Sequence, residues 1–401
     1  MKGSDIEPFS ILWVNPSFLD YRVVLFDELN KLSGNNLWVV YSKNRVPERV
    51  QEKMTDRLGS HAIALPGERY LKLGVDDSGF GNRNILLPYQ VGLVKSLLRI
   101  KSDVIISEGF FQWTPAALIK KGLQGAPLLI AYERTEHTER DCPRWRTIYR
   151  MFISKFVDGF IANGVLTKRY LVNELGVNER KVTTGGMAAD TEGLSKKVGQ
   201  LSVEEKAQIR SMLLGKNQDV VIFLYVGQLI ERKGVMQLIR AWEQFEKKGL
   251  SCHLAIVGEG NQKQIVENYI RDNRIKDVSV VGQVDYDIIY KYFAIADVFI
   301  IPTLEDNWSL VVPEAMACGL PIACSIYNGC YPELVTQDNG WVFDPLKTDE
   351  IEKTLSVIYE NRDKLKTMGE VSFQLVQDYS PAKVAQNIIY ACKRVLASRN
   401  K

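Results

Sequence analysis

The chain has 401 residues, 46% of them hydrophobic and 25% charged, with a net charge of +3 at neutral pH. That length exceeds one ordinary core, so two domains are expected, and the composition is that of a soluble globular protein. So small a charge argues against a nucleic-acid partner, and no apolar run approaches the length of a membrane-spanning helix.

The first stretch, "MKGSDIEPFSILWVN", places Asp5 and Glu7 ahead of a short apolar run. It lacks the basic–apolar–small order of a signal peptide, which points to the cytoplasm. Strand signals follow at "FSILWVN" (9–15), "NLWVVYS" (36–42), "DVIISEG" (103–109), "APLLIAY" (126–132) and "FVDGFIANG" (156–164), with helical patterns between them. "YRVVLFDELNKLSG" (21–34) is one such helix, ending at Gly34. This alternation is that of a parallel sheet covered by helices on both faces. The pattern pauses at 185–206, which is small, polar and glycine-containing and is read as the interdomain linker with the opening of the second domain. It restarts with "DVVIFLYVG" (219–227), helix 234–248, "CHLAIVGEG" (252–260), helix 261–272, "VSVVGQV" (278–284), helix 286–295 and "DVFIIPT" (297–303). The division expected is an N-terminal domain over 1–190, a second over 191–380, and a C-terminal helix over 381–401 packing back toward the first. Both domains are α/β, and each doubly wound sheet binds ligands beyond the carboxyl ends of its strands.

Charge separates the halves. Residues 1–200 hold 28 Lys/Arg against 22 Asp/Glu, and the remainder 23 against 26. The six cysteines form no small-domain framework and fit a reducing compartment. Cys318, Cys324 and Cys330 recur six apart, but without a CxxC or a nearby histidine they read as small core residues rather than metal ligands.

The loops of the second half carry the chemistry. In "VGQLIERKG" (226–234), Gly227 and Gln228 follow a strand, and Arg232 and Lys233 precede Gly234 at a helix start. Glycines permit close backbone approach, and two cations beside a helix N-terminus suit a phosphate. "VGEGN", with Gly258, is a second turn of this kind. No GxGxxG follows the first strand, which counts against a dehydrogenase. In "PTLEDNWSLVVPEAMACGLPI", Gly319 and Pro321 mark a helix end, and Asn307 or Ser309 is positioned to cap its start. N–H groups around Trp308, Ser309 and Leu310 then form an anion site. Glu314 follows ~6–7 Å along the helix, about the reach from a nucleoside's phosphates to its ribose hydroxyls. A carboxylate accepts two such hydroxyls well.

The spacing Asp306-x7-Glu314 followed by "AMACGLPI" resembles the E-x7-E signature of retaining GT-B glycosyltransferases of family 4. "VGQLIERKGVMQLIRAW", "LAIVGEG" and "ADVFIIPT" fall in that family's order. The resemblance implies a GT-B architecture, two Rossmann-like domains facing a central cleft. It implies that Glu314 holds the ribose, Arg232 and Lys233 the diphosphate, backbone N–H groups near Ser309 and Leu310 the phosphate, and Asp306, with Asn307 and Trp308 beside it, the donor sugar. The loop at Gly282–Val284 would lie near the base. The chain departs from the family pattern with Asp306 where Glu is usual, Glu305 being adjacent, and with Gln228 where Arg is frequent.

In the first half, His137 follows a strand in "YERTEHTERD", where many family members carry a histidine facing the donor sugar; a surface histidine is the plainer reading. Glu108, at another strand end, and Arg22, after the first, are acceptor-side candidates, Arg22 for an acceptor phosphate. "PRWRTIYRMFISKF" (143–156) joins four basic residues and no acid to Trp145, Tyr149, Phe152 and Phe156. An amphipathic helix packed on the sheet is one reading, and a peripheral membrane contact at the cytoplasmic face is the other. Taken together, these features lead to the expectation of a retaining, hexosyltransferase-type glycosyltransferase. It would move a sugar from a nucleoside diphosphate sugar to a glycan or lipid-linked acceptor without a metal, in the assembly of a surface polysaccharide or other glycan. A nucleotide-sugar epimerase of the same fold and a non-catalytic nucleotide-sugar binding protein are the alternatives.

Overall fold

The computed structural model describes residues 8–73, 85–214 and 219–399. Asp5 and Glu7, used above for the N-terminal reading, lie outside these. The described chain forms two compact units, one holding the residues up to Ala188 and again from Pro381, the other Ala189–Ser380.

The first unit contains β1 (Ile11–Val14), β2 (Leu37–Ser42), β3 (Ala62–Leu65), β4 (Glu68–Leu73), β5 (Ile85–Gln90), β6 (Val104–Glu108), β7 (Leu128–Tyr132), β8 (Gly159–Ala162) and β9 (Val182–Thr183). Seven of them form a parallel sheet of order β3-β2-β1-β6-β7-β8-β9, and β4 and β5 pair separately as an antiparallel ribbon. Every residue of β1 is buried because each face of the sheet has its own core. Ile11 and Trp13 pack with Phe26 and Leu29 of helix Asp20–Leu32, while Leu12 and Val14 pack with Leu97 and Trp113 on the other side. This is the period-two alternation of a strand covered on both faces. The last helix, Pro381–Arg399, contributes Val384, Ile388, Cys392 and Val395 to the core that contains Phe26 and Leu29.

The second unit contains β10 (Val221–Val226), β11 (Cys252–Val257), β12 (Val278–Gly282), β13 (Val298–Ile301), β14 (Ile322–Ser325) and β15 (Gly340–Phe343), parallel in the order β12-β11-β10-β13-β14-β15. The order reverses direction between β10 and β13, as it does between β1 and β6 in the first unit. Chain crossings leave such switch points open at the carboxyl ends of the strands.

Three local expectations change. The segment read as linker folds into helices Thr191–Gln200 and Val203–Leu214. Asp190 caps the first by accepting from the Gly193 N–H at 2.9 Å. The second opens on a capping box, with Ser202 N–H donating to Glu205 Oε2 at 2.7 Å and Glu205 N–H to Ser202 Oγ at 3.2 Å. The polar composition of 185–206 reflects helices with solvated faces rather than irregular chain. The helix expected over 286–295 is confined to Tyr290–Ile295, so residues 286–289 are a turn. The helix around Glu314 runs Val311–Ala317 with no side-chain cap, because Ser309 is used elsewhere. Its C-terminus is as expected, with Gly319 at φ +78 and Leu320 N–H reaching back to the Ala315 carbonyl at 3.1 Å.

Candidate functional site

The loops after β10 and β13 interlock at the switch point of the second unit. Gly234 makes this possible: its φ is +70, and a Cβ there would lie 1.9 Å from the Pro302 carbonyl oxygen. Gly258 plays the same part beside Gly227, where an added Cβ would stand 1.9 Å from the Gly227 oxygen. With the chains this close, the Arg232 carbonyl accepts from Thr303 Oγ1 at 3.0 Å and from the Leu304 N–H at 2.8 Å. The Arg232 Nη1 donates to the Glu305 carbonyl at 3.1 Å.

Lys233 forms an ion pair with Asp306, and both side chains are largely buried. Burial alone would raise the Asp306 carboxyl. The charges of Lys233 and Arg232 and hydrogen bonds from Lys233 and Ser309 outweigh it and hold the group below its usual value. Ser309 Oγ donates to Asp306 Oδ2 at 2.5 Å, and the Trp308 N–H to Oδ1 at 3.2 Å. Asn328, after β14, donates from Nδ2 to Ser309 Oγ at 2.9 Å and accepts from the Ser309 N–H at 3.4 Å.

These contacts revise two expectations. Both oxygens of Asp306 are engaged inside the protein, so its carboxylate braces Lys233 instead of standing open to sugar hydroxyls. Two of the three N–H groups proposed for an anion, those of Trp308 and Ser309, already have side-chain acceptors. The Leu310 N–H has none among the described residues. Asn307 and Glu305 flank Asp306, Asn307 half-buried and Glu305 buried. Gln228 is exposed, with its carbonyl accepting from Tyr225 hydroxyl at 3.0 Å.

Glu314 is the one carboxylate on a helix whose Val312, Pro313, Ala315, Met316 and Ala317 are buried. Its partner is a phenol. The Tyr286 hydroxyl, in the turn after β12 and two residues beyond half-buried Val284, donates to Glu314 Oε1 at 3.1 Å. Burial pushes Glu314 up to about 7; the Tyr286 bond opposes the shift and the charge of Asp190 adds to it. Neither Tyr286 nor Asn328 stood out in the sequence. Their signal was only positional, since both follow strands at the carboxyl edge of the sheet.

The switch point of the first unit holds a second ion pair. Arg22 Nη2 lies 3.1 Å from Glu108 Oε1, and that oxygen also accepts from Trp13 Nε1 at 3.1 Å and Asn15 Nδ2 at 3.2 Å. Burial raises the Glu108 carboxyl, Arg22 lowers it and Glu133 raises it again. Arg22 is 4% exposed and stacks over Trp13, 5.6 Å from the ring centre. Its Nη2 is engaged by Glu108, while its Nε and Nη1 are buried without a hydrogen-bond partner among the described residues. Glu108 Oε2 has no donor among the described residues. His137 is half-buried in the turn after β7, where its carbonyl accepts from Arg140 Nη1 at 2.5 Å. His61 stacks on Trp38 at 3.9 Å and His253 bonds Ser279 at 2.9 Å, both structural placements. Among the described residues no group of three His, Cys, Asp or Glu side chains could hold a metal ion.

Residues 210–374, which include Arg232, Lys233, Asp306 and Glu314, match the family model described as glycosyl transferases group 1. An uncharacterized glycosyltransferase of Methanocaldococcus jannaschii is 32% identical over 153 residues, 38% of each chain. Alpha-monoglucosyldiacylglycerol synthase of Acholeplasma laidlawii is 26% identical over 167 residues, 41% of this chain and 42% of its own. The matches span between 38% and 50% of the length of the first three curated relatives. Solved structures cover far more of the chain. A glycosyltransferase from Rickettsia africae has a TM-score of 0.74 at 13% identity, covering 98% of this chain and 99% of its own. Anabaena HepE in complex with UDP has a TM-score of 0.73 at 15% identity, covering 96% of this chain and 100% of its own. The fold is therefore GT-B, and residues 210–374 are similar to the glycosyl transferases group 1.

Proposed function

We propose that the protein transfers a sugar from a nucleoside diphosphate sugar to an acceptor hydroxyl with retention of anomeric configuration. The observation that carries this reading is the pair of cations at the switch point of the second unit. Lys233 pairs with Asp306, and Arg232 also acts on that carboxylate while bonding the Glu305 carbonyl. Two such cations suit a departing diphosphate, in a segment that matches the glycosyl transferases group 1 model. Glu314 accepts the ribose hydroxyls once Tyr286 yields them its oxygen. In the reaction the acceptor oxygen bonds to the anomeric carbon as the bond from that carbon to the phosphate oxygen breaks. The acceptor proton passes to the leaving phosphate, so neither a metal nor a protein nucleophile is required.

On the acceptor side Arg22 holds Glu108 through Oε1. The other carboxylate oxygen suits a hydroxyl donor, so Glu108 Oε2 is assigned to an acceptor hydroxyl of a glycan or lipid-linked sugar, with Arg22 positioning it. His137 is assigned to sugar binding.

Incubation with a panel of labelled nucleotide sugars and simple glycoside acceptors tests the proposal. The expected outcome is a product glycoside whose anomeric proton coupling matches that of the donor. Interconversion of the donor sugar, or binding with neither transfer nor slow hydrolysis, refutes it.

A further inference from the structure

Helix Arg144–Ser154 is inverted relative to an ordinary surface helix. Its long cations turn inward. Arg150 is 3% exposed, pairs with Glu139, donates to the Tyr170 hydroxyl at 3.0 Å and lies 5.6 Å over the Phe111 ring. Arg146 is buried on the same side. With 146 and 150 facing in, helical periodicity turns 145, 148, 152 and 156 outward. Trp145 is 48% exposed, Ile148 66%, Phe152 56% and Phe156 49%, with Met151 beside them at 41%. Phe152 and Phe156 touch edge to face, with ring centres 5.1 Å apart.

These side chains expose on the order of 500 Å² of largely apolar surface, within the size range in which a soluble protein's largest patch is often functional. Arg144 and Lys155 are exposed at the two ends of the stripe, and no Asp or Glu occurs between 143 and 156. Aromatic bulk between cations, with no carboxylate, is the chemistry of a helix lying in a lipid interface. A symmetric contact with a second copy would set each cation against a face with no acid on this helix to receive it. Among the described residues no helix is long and apolar enough to cross a membrane.

We propose that the outer face of this helix docks on an anionic lipid bilayer, with Trp145, Phe152 and Phe156 entering the headgroup–acyl boundary and Arg144 and Lys155 meeting lipid phosphates. The inference stands independently of the proposed reaction, since it uses none of the residues assigned to it.

The test is co-sedimentation of the full chain with vesicles of phosphatidylcholine containing 30% phosphatidylglycerol, and with phosphatidylcholine alone. The parent is expected to bind the anionic vesicles and to lose at least tenfold in partitioning in their absence. Ile148→Gln with Phe152→Gln and Phe156→Gln should lower partitioning at least tenfold without lowering the melting temperature, because all three side chains are exposed. Arg144→Gln with Lys155→Gln should weaken binding to anionic vesicles only. Failure of the parent to bind anionic vesicles overturns the proposal. So does a dimer in light scattering that the triple variant dissociates, or equal binding by parent and triple variant.

Discussion

If Glu314 holds the donor ribose, as proposed, its burial makes donor binding a proton-linked event. Its carboxyl is raised from 4.5 to about 7, chiefly by burial. In the empty site it is therefore roughly half protonated at pH 7. Ribose hydroxyls donate to the ionised form and stabilise it, so binding must expel the proton. If the bound carboxyl titrates near its ordinary value, binding releases roughly half a proton at pH 7. The affinity then rises about tenfold between pH 6 and pH 8, about 1.4 kcal/mol. Calorimetry in buffers of different ionisation enthalpy measures the release directly. The ligand should be an intact nucleotide sugar, because the terminal phosphate of a free diphosphate would add its own titration. In Glu314→Gln the release should vanish and the affinity lose its pH dependence while falling at least tenfold. The reasoning is refuted if the parent releases no proton, or if the glutamine variant releases as much. The same shift has a stability signature. Between pH 4.5 and about 7 the folded state binds a proton that the unfolded chain has lost, so stability falls as pH rises through that window. The difference is bounded near ~3 kcal/mol and reduced to about 1–2 kcal/mol by partial solvent screening. Urea titrations at pH 5 and pH 8 should show it in the parent and not in Glu314→Gln.

Tyr286→Phe removes the bond that lowers Glu314, so the midpoint of the pH–affinity curve should move up; a downward shift in calorimetry contradicts the assigned contact. Lys233→Ala should lower turnover more than donor affinity, and full activity in a transfer assay removes its diphosphate role. Asp306→Ala strands a buried ammonium and should cost about 3 kcal/mol in urea unfolding, with Lys233→Met in the same chain recovering part of the loss. Gly234→Ala must accommodate a Cβ 1.9 Å from a carbonyl at positive φ, and a loss below about 1 kcal/mol in the same assay would mean the two loops are not held as described.

The sheet core was legible because strands buried on both faces leave unbroken apolar runs, as in β1 and β11. The short strands β3, β9, β14 and β15, at or next to sheet edges, were missed because two to four residues carry little periodicity. The helices at 191–214 were lost to composition, although Ser202 and Glu205 spelled a capping box in the sequence. Loop cations and carboxylates were found by type and spacing, but their partners were not. Nothing local tells that Asp306 folds onto Lys233, 73 residues away, or that Glu314 meets a tyrosine from another loop. Nor does a helical wheel say which face of 143–156 is buried. Glu139 and Tyr170, which draw Arg150 inward, are 11 and 20 residues distant.

The two switch points use one device. In each, a cation from the loop or helix after the unit's first strand meets a carboxylate at or beyond the end of the strand where the order reverses: Arg22 with Glu108, Lys233 with Asp306. A buried pair of this kind adds little net stability, since desolvation offsets the attraction. What it fixes is position, with a further charge acting on the carboxylate: Arg232 lowers Asp306, and Glu133 raises Glu108. Removing that neighbour's charge should therefore change affinity without moving the pair. Arg232→Gln is expected to weaken a nucleotide sugar at least tenfold while leaving the affinity for the corresponding nucleoside unchanged. Glu133→Gln should leave donor affinity intact and raise KM for an uncharged acceptor, with kcat changed less. Equal effects of Arg232→Gln on nucleoside and nucleotide sugar would show that the Arg232 charge is not what holds the donor's diphosphate.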